Sequence, residues 1–321
     1  MQALAIFLLI LFLLPALGTA QTIRSGYTSM TTGYLPFFVA QRKGFYQREG
    51  MRVQLIHMGG SAVHQRALIA GELHFANINP DGVILFNEKG GNLKVIAGVN
   101  NAAPYVLVGA KGYKRVEDLR GTKIAATSLR GGVTTFILEY LKGKGLHYPR
   151  DYTIVVIPGG TPARLAALET GAVAAVPLAI PASDMAIDRG FHRLGDIVEV
   201  LPKFQFTAIT VDPAWAEKNR AAVVKFLKAH ILSLRWIYDN PAEAADLYMK
   251  EMGMKQPYAR RGVDYYTKNG VFPRDGSVSV EGLKVNIEVQ FRDGLIKGPI
   301  SPPERYVDLS YLRQAQKELG M

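Results

Sequence analysis

The sequence predicts an α/β fold of two similar lobes, each a mostly parallel sheet flanked by helices. The main observation is a gapless repeat in which residues 59–76 align with residues 159–176, with five identities. The flanking text repeats as well, since residues 22–29 correspond to residues 122–128 and an apolar run precedes each copy. Strands that alternate with helices indicate parallel sheets with βαβ crossovers. Two such lobes facing each other imply a cleft.

Residues 1–20 have the pattern of a secretory signal peptide. An uncharged apolar run is broken by Pro15, and small residues at Gly18 and Ala20 precede a plausible cleavage site before Gln21. The run is shorter than the ~20 apolar residues of a membrane span. Because residues 1–2 carry no basic charge, an uncleaved anchor or a misplaced start codon is left as an alternative.

The first module is predicted to start with a strand at 22–27 and a turn at 29–33 that leads into a helix closed by Gly44. A strand follows, and Ser61 is the expected N-cap of a helix that ends at Gly71. Two more strands complete the module, at 73–78 and 93–99.

The second module repeats this order. A strand at 123–127 precedes a helix whose apolar residues recur at helical spacing from Val133 to Leu141. Next come a strand at 154–157, a helix with Thr161 as N-cap and Pro162 at its first position, and a strand at 173–176.

Two extended segments, 105–109 and 206–211, are expected to connect the lobes as hinge strands. Lobe 1 then comprises residues 21–107 plus 207–321, and lobe 2 comprises residues 108–206. The last third is predicted to be mostly helical and to pack on lobe 1, with helices at 213–238, 241–252, 280–293 and 303–319.

The composition excludes several classes of protein. Hydrophobic residues make up 48% of the chain, which argues against disorder. No cysteine is present, so disulfides, thiolate metal sites and the lipid-bearing cysteine of lipoproteins are excluded. The net charge of +11 comes from scattered residues without a groove-reading motif, so we expect no nucleic-acid partner. We find no paired-histidine metal motif, nucleophile elbow or phosphate loop, and expect neither an enzyme nor a cofactor.

The predicted cleft is bordered by four helix N-termini, whose free N–H groups and positive dipole ends favour an anion. Arg130 lies in one of these turns, where its charge opposes the helix dipole unless an anion compensates it. For Ser61, Thr161 and Asn79, a helix cap is the alternative to a ligand contact. The candidate ligand-binding residues are Thr31, Thr32, Tyr34, Ser61, Asn79, Asn100, Ser128, Arg130, Gly131, Gly132 and Thr161.

Four segments in this order carry a family resemblance: TGYLPFFVAQRKGFYQREGMRVQLI, GGSAVHQRALIAGELHFANIN, VEDLRGTKIAATSLRGG and RWIYDNPAEAADLYMK. The chain resembles the nitrate/sulfonate/taurine and thiamine-pyrimidine group of bacterial substrate-binding proteins. The resemblance implies a monomeric type II periplasmic binding protein that closes on a small ligand. It also implies partners, an ABC permease and its cytoplasmic ATPase.

Two other functions are compatible with this resemblance. A periplasmic sensor would bind a ligand without transporting it. Eukaryotic pyrimidine synthases of thiamine biosynthesis resemble the same group, but they use a cysteine-rich metal motif that this chain lacks. The ligand is expected to carry a negative group, which points to a sulfonate, taurine, nitrate or a carboxylate, although thiamine-pyrimidine precursors also suit the scaffold.

Overall fold

The computed structural model describes residues 22–126, 129, 133–199 and 201–321. The expected signal peptide at 1–20 lies outside these residues. The described strands are β1 (Thr22–Tyr27), β2 (Arg52–His57), β3 (Phe75–Ile78), β4 (Lys94–Asn100), β5 (Tyr105–Gly109), β6 (Lys123–Ala126), β7 (Thr153–Val156), β8 (Ala175–Ala179), β9 (His192–Asp196) and β10 (Thr207–Val211).

The described α-helices are α1 (Leu35–Arg42), α2 (Phe45–Arg48), α3 (Ser61–Ile69), α4 (Pro80–Asn87), α5 (Val133–Gly143), α6 (Gly160–Glu169), α7 (Ala182–Asp188), α8 (Pro213–Lys218), α9 (Arg220–Asp239), α10 (Pro241–Met252), α11 (Tyr258–Lys268), α12 (Val280–Arg292) and α13 (Ser310–Glu318). Short 3-10 helices lie at Thr32–Tyr34, Val116–Leu119, Ile197–Glu199 and Pro303–Tyr306.

The strands form two five-stranded sheets with the same internal order. The first is β2-β1-β3-β10-β4 and the second is β7-β6-β8-β5-β9. In the first sheet β10 runs antiparallel to both neighbours, and in the second β5 does the same. The other four strands of each sheet share one direction, so the predicted two-lobed α/β fold class is confirmed.

The core of the first lobe depends on α9, which packs on the sheet through an aromatic stack. Phe226 lies between Phe75, with ring centroids 3.9 Å apart, and Phe37, at 6.4 Å. All three side chains are fully buried. This packing holds the C-terminal helices against the first sheet, as the sequence predicts.

The prediction of one long helix over 213–238 is wrong. The chain leaves the helical conformation at Asn219, with φ −121° and ψ 31°, between α8 and α9. The Asn219 side chain donates to the carbonyl oxygen of Trp215 at 2.8 Å, which satisfies the end of α8. Asparagine side chains compete with helical backbone bonds in this way, and the sequence pattern alone did not reveal the break.

The chain crosses between the lobes twice, at 101–104 and at 201–206. The segments expected as hinge strands mostly lie next to these crossings, since 105–109 form β5 of the second sheet and 207–211 form β10 of the first. The backbone N–H of Phe206 donates to the carbonyl oxygen of Asn100 at 3.0 Å, so the crossings lie side by side. Across the part of the chain that the structure describes, no helix combines the length and hydrophobicity that a membrane span requires.

Candidate ligand-binding cleft

A cavity of about 130 Å³ lies between the two sheets, at the carboxyl ends of their parallel strands. We call it the interlobe cavity. Its described lining residues are Thr28, Ser29, Thr31, Gly33, Tyr34, Gly59, Gly60, Ser61, Asn79, Asn100, Tyr105, Val133, Pro158, Gly159, Gly160, Thr161, Arg164, Phe206, Thr207 and Tyr266. The walls approach closely, since a Cβ on Gly160 would lie 3.5 Å from Oγ of Ser29.

The first-lobe wall is neutral and held by a network of hydrogen bonds. The hydroxyls of Thr28 and Tyr34 are 2.5 Å apart, and burial raises the pKa of Tyr34 well above its usual value. Oγ of Ser61 accepts from the backbone N–H of Asn79 at 3.3 Å. Nδ2 of Asn79 donates to the carbonyl oxygen of Phe206 at 2.8 Å, which ties this wall to the second crossing.

Ser61 and Thr161 do not cap their helices, so the N-cap expectation is wrong for both. The N-caps are Gly60, with φ 85° and ψ 150°, and Gly159, with φ 99°. Only glycine adopts these conformations without strain. Because the glycines make the turns, both hydroxyls lie one or two residues further along and line the cavity. Asn79 does cap α4, since its Oδ1 accepts from the N–H of Asp81 at 2.9 Å.

The second-lobe wall contains a buried arginine. Arg164 is 1% exposed and lies in the middle of α6, with its guanidinium reaching back to Thr161 in the first turn. Its Nε donates to the carbonyl oxygen of Pro177 at 2.9 Å, and its Nη2 donates to Oγ1 of Thr161 at 3.3 Å. Its Nη1 is buried without a hydrogen-bond partner. The guanidinium is therefore held in place by neutral acceptors and keeps unused donor capacity.

The charge of Arg164 has no counter-charge among the described residues of the cavity lining. No described lining residue is an aspartate or glutamate. Burial lowers the pKa of Arg164 below its usual value, and the interaction with Tyr105 opposes this shift. An arginine stays protonated in proteins, so the group is a desolvated cation. It also lies at the positive end of the α6 dipole, which adds to the local potential. A bound anion would offset both the desolvation of the guanidinium and its repulsion by the positive end of the helix dipole.

His64 occupies the position of Arg164 in the first copy of the repeat. Its ring is fully buried, and its Nδ1 lies 3.0 Å from the carbonyl oxygen of Gly60. Burial lowers the pKa of His64, so the ring is neutral near pH 7. The ring packs over Gly26, where an added Cβ would lie 2.3 Å from Cδ2 of His64. The two walls are thus alike in backbone and different in charge.

Aromatic side chains from three separate segments close the middle of the cavity. Tyr105 begins β5 directly after the first crossing, Phe206 ends the second crossing, and the two rings meet edge to face with centroids 5.3 Å apart. Tyr266 reaches the cavity from α11. Burial raises the pKa of Tyr105. The nearby charge of Arg164 and the interactions of the Tyr105 hydroxyl with Thr161 and Arg164 lower it. These rings offer flat apolar surface beside the guanidinium.

Six of the predicted site residues lie together in the cavity lining: Thr31, Tyr34, Ser61, Asn79, Asn100 and Thr161. Thr32 is fully buried and is not part of the lining; its hydroxyl lies close to Gly262. Ser128, Arg130, Gly131 and Gly132 lie outside the described residues. For all of the predicted site residues, ligand binding stays a prediction.

Arg164, Tyr105 and Tyr266 line the cavity but are not among the predicted site residues. A signal for Arg164 existed, because the buried residues of α6 are Thr161, Arg164 and Leu168, which share one helical face. A cation on a buried stripe is rare unless it has a partner. Tyr266 had no such signal, because α11 was not predicted and its approach to the cavity is a tertiary contact.

The described side chains give no sign of a metal centre, since they include no cluster of three or more histidine, aspartate and glutamate residues that could hold one. The described cavity lining also contains no histidine, lysine or carboxylate. The arrangement offers hydrogen bonds, a single cation and apolar surface. These features suit binding of a small molecule.

Comparison with known proteins gives a family match. A family model described as NMT1/THI5 like matches residues 31–244, which is about two thirds of the chain. No curated protein matches the sequence significantly.

Solved structures share the fold over nearly the whole chain. The periplasmic nitrate-binding protein NrtA from Synechocystis PCC 6803 is 16% identical, with a TM-score of 0.77 over 94% of this chain and 89% of that chain. The alkanesulfonate-binding protein SsuA from Xanthomonas axonopodis pv. citri, bound to MOPS, is 18% identical, with a TM-score of 0.71 over 88% and 97%. The aliphatic sulphonate binding protein SsuA from Escherichia coli is 18% identical, with a TM-score of 0.69 over 91% and 99%.

Proposed function

The chain belongs to the NMT1/THI5-like family, and on this premise we propose that it is the periplasmic solute-binding component of an ABC importer. In this role it captures a small organic anion between its lobes by hinge closure. The closed protein then delivers the anion to a permease driven by a cytoplasmic ATPase. The signal-peptide pattern at 1–20 supports export, and we propose a monomer that is released into the periplasm.

The observation that carries this proposal is the buried guanidinium of Arg164. It lies in the wall of a cavity between two lobes, beside a helix N-terminus, and no described lining carboxylate neutralises it. A fixed cation in a desolvated cleft is stabilised by an incoming anion through charge-assisted hydrogen bonds. The structural relatives support the same role, because the nitrate- and sulfonate-binding proteins named above bind anions on this fold.

Hinge closure is supported by the way the cavity is assembled. Thr161 and Arg164 come from the second lobe, whereas Ser61 and Asn79 come from the first. A ligand that touches both walls favours the closed arrangement by its differential affinity for it. Binding, and not catalysis, is proposed because the described lining offers no histidine, lysine or carboxylate as a general base.

A thermal-shift screen of the purified protein tests the proposal with small sulfonates, carboxylates, nitrate and neutral heterocycles. Anions are expected to raise the melting temperature, since a ligand at 100 times its Kd stabilises the folded state by about 2.7 kcal/mol. Arg164→Gln is expected to weaken binding of an active anion by roughly 10- to 100-fold. Arg66→Gln is the matched control, because Arg66 is exposed on the equivalent helix α3. Stabilisation by neutral or cationic compounds alone would contradict the proposal.

A further inference from the structure

The interlobe cavity has a cation at one wall and only neutral groups at the other. Arg164 is the sole charged residue in the described lining. The residues that are not described (1–21, 127, 128, 130–132 and 200) include no aspartate or glutamate in the sequence. Neither the described lining residues nor the residues that are not described therefore supply an aspartate or glutamate to a ligand in this cavity.

The first-lobe wall ends in a buried acceptor. Nδ2 of Asn100 donates to Oγ1 of Thr207 and, at 3.4 Å, to the carbonyl oxygen of Gly33. A carbonyl oxygen needs a donor, so the contact with Gly33 fixes the orientation of the amide. Oδ1 of Asn100 then faces away from these bonds, and it is buried without a partner. This oxygen is suited to accept a hydrogen bond from an uncharged ligand donor such as a hydroxyl.

A ligand ammonium group would be poorly accommodated at the same wall. It would lose its water on closure and find no counter-charge, and a desolvated unpaired charge is strongly unfavourable. It would also share a small cavity with the guanidinium of Arg164, which repels it. A hydroxyl of the same size has neither disadvantage.

We propose that the ligand is a monoanion whose far end carries an uncharged hydrogen-bond donor, and that the site rejects zwitterions of the same size and shape. This inference rests on the proposed function. Arg164 and Thr161 hold the anionic group, the rings of Tyr105 and Phe206 contact the body, and Oδ1 of Asn100 accepts from the far end. A cavity of about 130 Å³ is close in volume to the engineered cavity of about 150 Å³ that binds benzene in another protein, which suits a small organic acid.

The test uses three isosteric pairs that differ in hydroxyl against ammonium: 2-hydroxyethanesulfonate and taurine, 3-hydroxypropionate and β-alanine, 4-(hydroxymethyl)benzoate and 4-(aminomethyl)benzoate. Dissociation constants are measured by calorimetry on the purified protein at pH 7. In each pair that binds, the hydroxyl compound is expected to bind roughly 100-fold more tightly. Equal or tighter binding of the amino compounds overturns this inference and leaves anion binding intact. Failure of all six to bind at millimolar concentration also overturns this inference, and the thermal-shift screen then decides the proposed anion-binding function.

A gain-of-function variant gives a second readout. Asn100→Asp places a carboxylate at the neutral wall. We expect the ratio of the dissociation constants of the amino and hydroxyl compounds in a pair to fall by about tenfold or more. Asn101→Asp is the matched control, because the Asn101 side chain donates to the carbonyl oxygen of Ser277 and lies outside the cavity lining. An unchanged preference in a folded Asn100→Asp protein overturns the inference. If that variant does not fold, the six dissociation constants of the unsubstituted protein still decide the matter.

Discussion

Arg164 lies in the second copy of the repeat at the position that His64 holds in the first. Both side chains are buried on the third residue after a cavity-lining hydroxyl, Ser61 or Thr161. The first copy supplies a neutral ring that packs into its own lobe, and the second supplies a cation in the cavity wall. The difference between histidine and arginine at this position gives the two walls of a nearly symmetric cleft different charges.

Thr161→Val is expected to weaken anion binding. The substitution removes the hydroxyl that accepts from Nη2 of Arg164 at 3.3 Å and that itself lines the cavity. With its oxygen accepting from Arg164, the hydroxyl is free to donate to a bound anion, and a hydrogen bond to a charged group contributes about 1.5–3 kcal/mol, so affinity should fall by roughly tenfold or more. Calorimetric titration measures the dissociation constant of the anion for each variant. Thr161→Ser is the control and should retain affinity; an equal loss in both variants would show that the hydroxyl alone does not account for the contribution of Thr161.

Arg164→Met is expected to stabilise the ligand-free protein while abolishing anion binding. A buried charge without a counter-charge costs folding free energy, and apolar replacements of buried ionic groups have stabilised proteins by about 1–4 kcal/mol. Urea denaturation without ligand should therefore show a higher free energy of unfolding than in the unsubstituted protein. A lower value would mean that the bonds to Pro177 and Thr161 outweigh the desolvation of the guanidinium.

His230 is expected to make the protein less stable as the pH falls. Burial lowers the pKa of His230 to about 4, against 6.5 for an unfolded histidine, and its Nε2 lies 3.0 Å from the carbonyl oxygen of Gly98. The unfolded chain therefore binds a proton before the folded protein does. The free energy of unfolding should fall by about 3 kcal/mol as the pH drops from 6.5 to 4. Burial also lowers the pKa of His64, which adds to the effect.

Urea denaturation at pH 7 and pH 4.5 measures this dependence. His230→Gln, which keeps a side-chain N–H donor, should reduce the loss of stability between the two pH values. His147→Gln is the matched control, because His147 is exposed and its ring is not buried in the fold. An equal pH dependence in both variants would assign the effect to other groups.

Gly60→Ala is expected to destabilise the protein, whereas Gly59→Ala should leave its stability nearly unchanged. Gly60 has φ 85° and ψ 150°, a conformation that costs a residue with a Cβ about 1–3 kcal/mol. Gly59 does not have the positive φ that disfavours other residues, and a Cβ there would meet no atom within 4 Å. Thermal unfolding of the two variants without ligand compares these neighbours directly. Similar melting temperatures would contradict the role assigned to the Gly60 turn.

Much of the architecture was predictable because it follows from local patterns. The repeat at 59–76 and 159–176 and the alternation of strands with helices predicted the two-lobed fold, and the resemblance to the nitrate/sulfonate/taurine group is confirmed by the family match. The α10 helix, Pro241–Met252, has the bounds that the sequence predicts. Asn219 interrupts a continuous helical pattern through one side-chain bond, which periodicity does not register.

The candidate site was predictable only in outline. Helix N-termini at strand ends predicted that Ser61, Asn79 and Thr161 would lie at one cleft, and the structure brings them together. The expected cation was Arg130, which lies outside the described residues, and the cation that the structure places in the cavity is Arg164. Arg130 stays a prediction. The N-cap prediction for Ser61 and Thr161 failed because glycine conformations at 60 and 159 take over the capping role that propensity rules assign to serine and threonine.

The sequence by itself determined that this protein has two similar lobes with a cleft between them, because strand and helix periodicity and the repeat are local properties of the chain. Only the tertiary structure decided which side chains meet in that cleft and which of them is charged. Arg164 shares the cavity lining with Tyr105, which lies 59 positions away in the sequence, and the contribution of Tyr266 depends on the packing of α11. Desolvation and long-range contacts of this kind arise only when separate segments of the chain pack together.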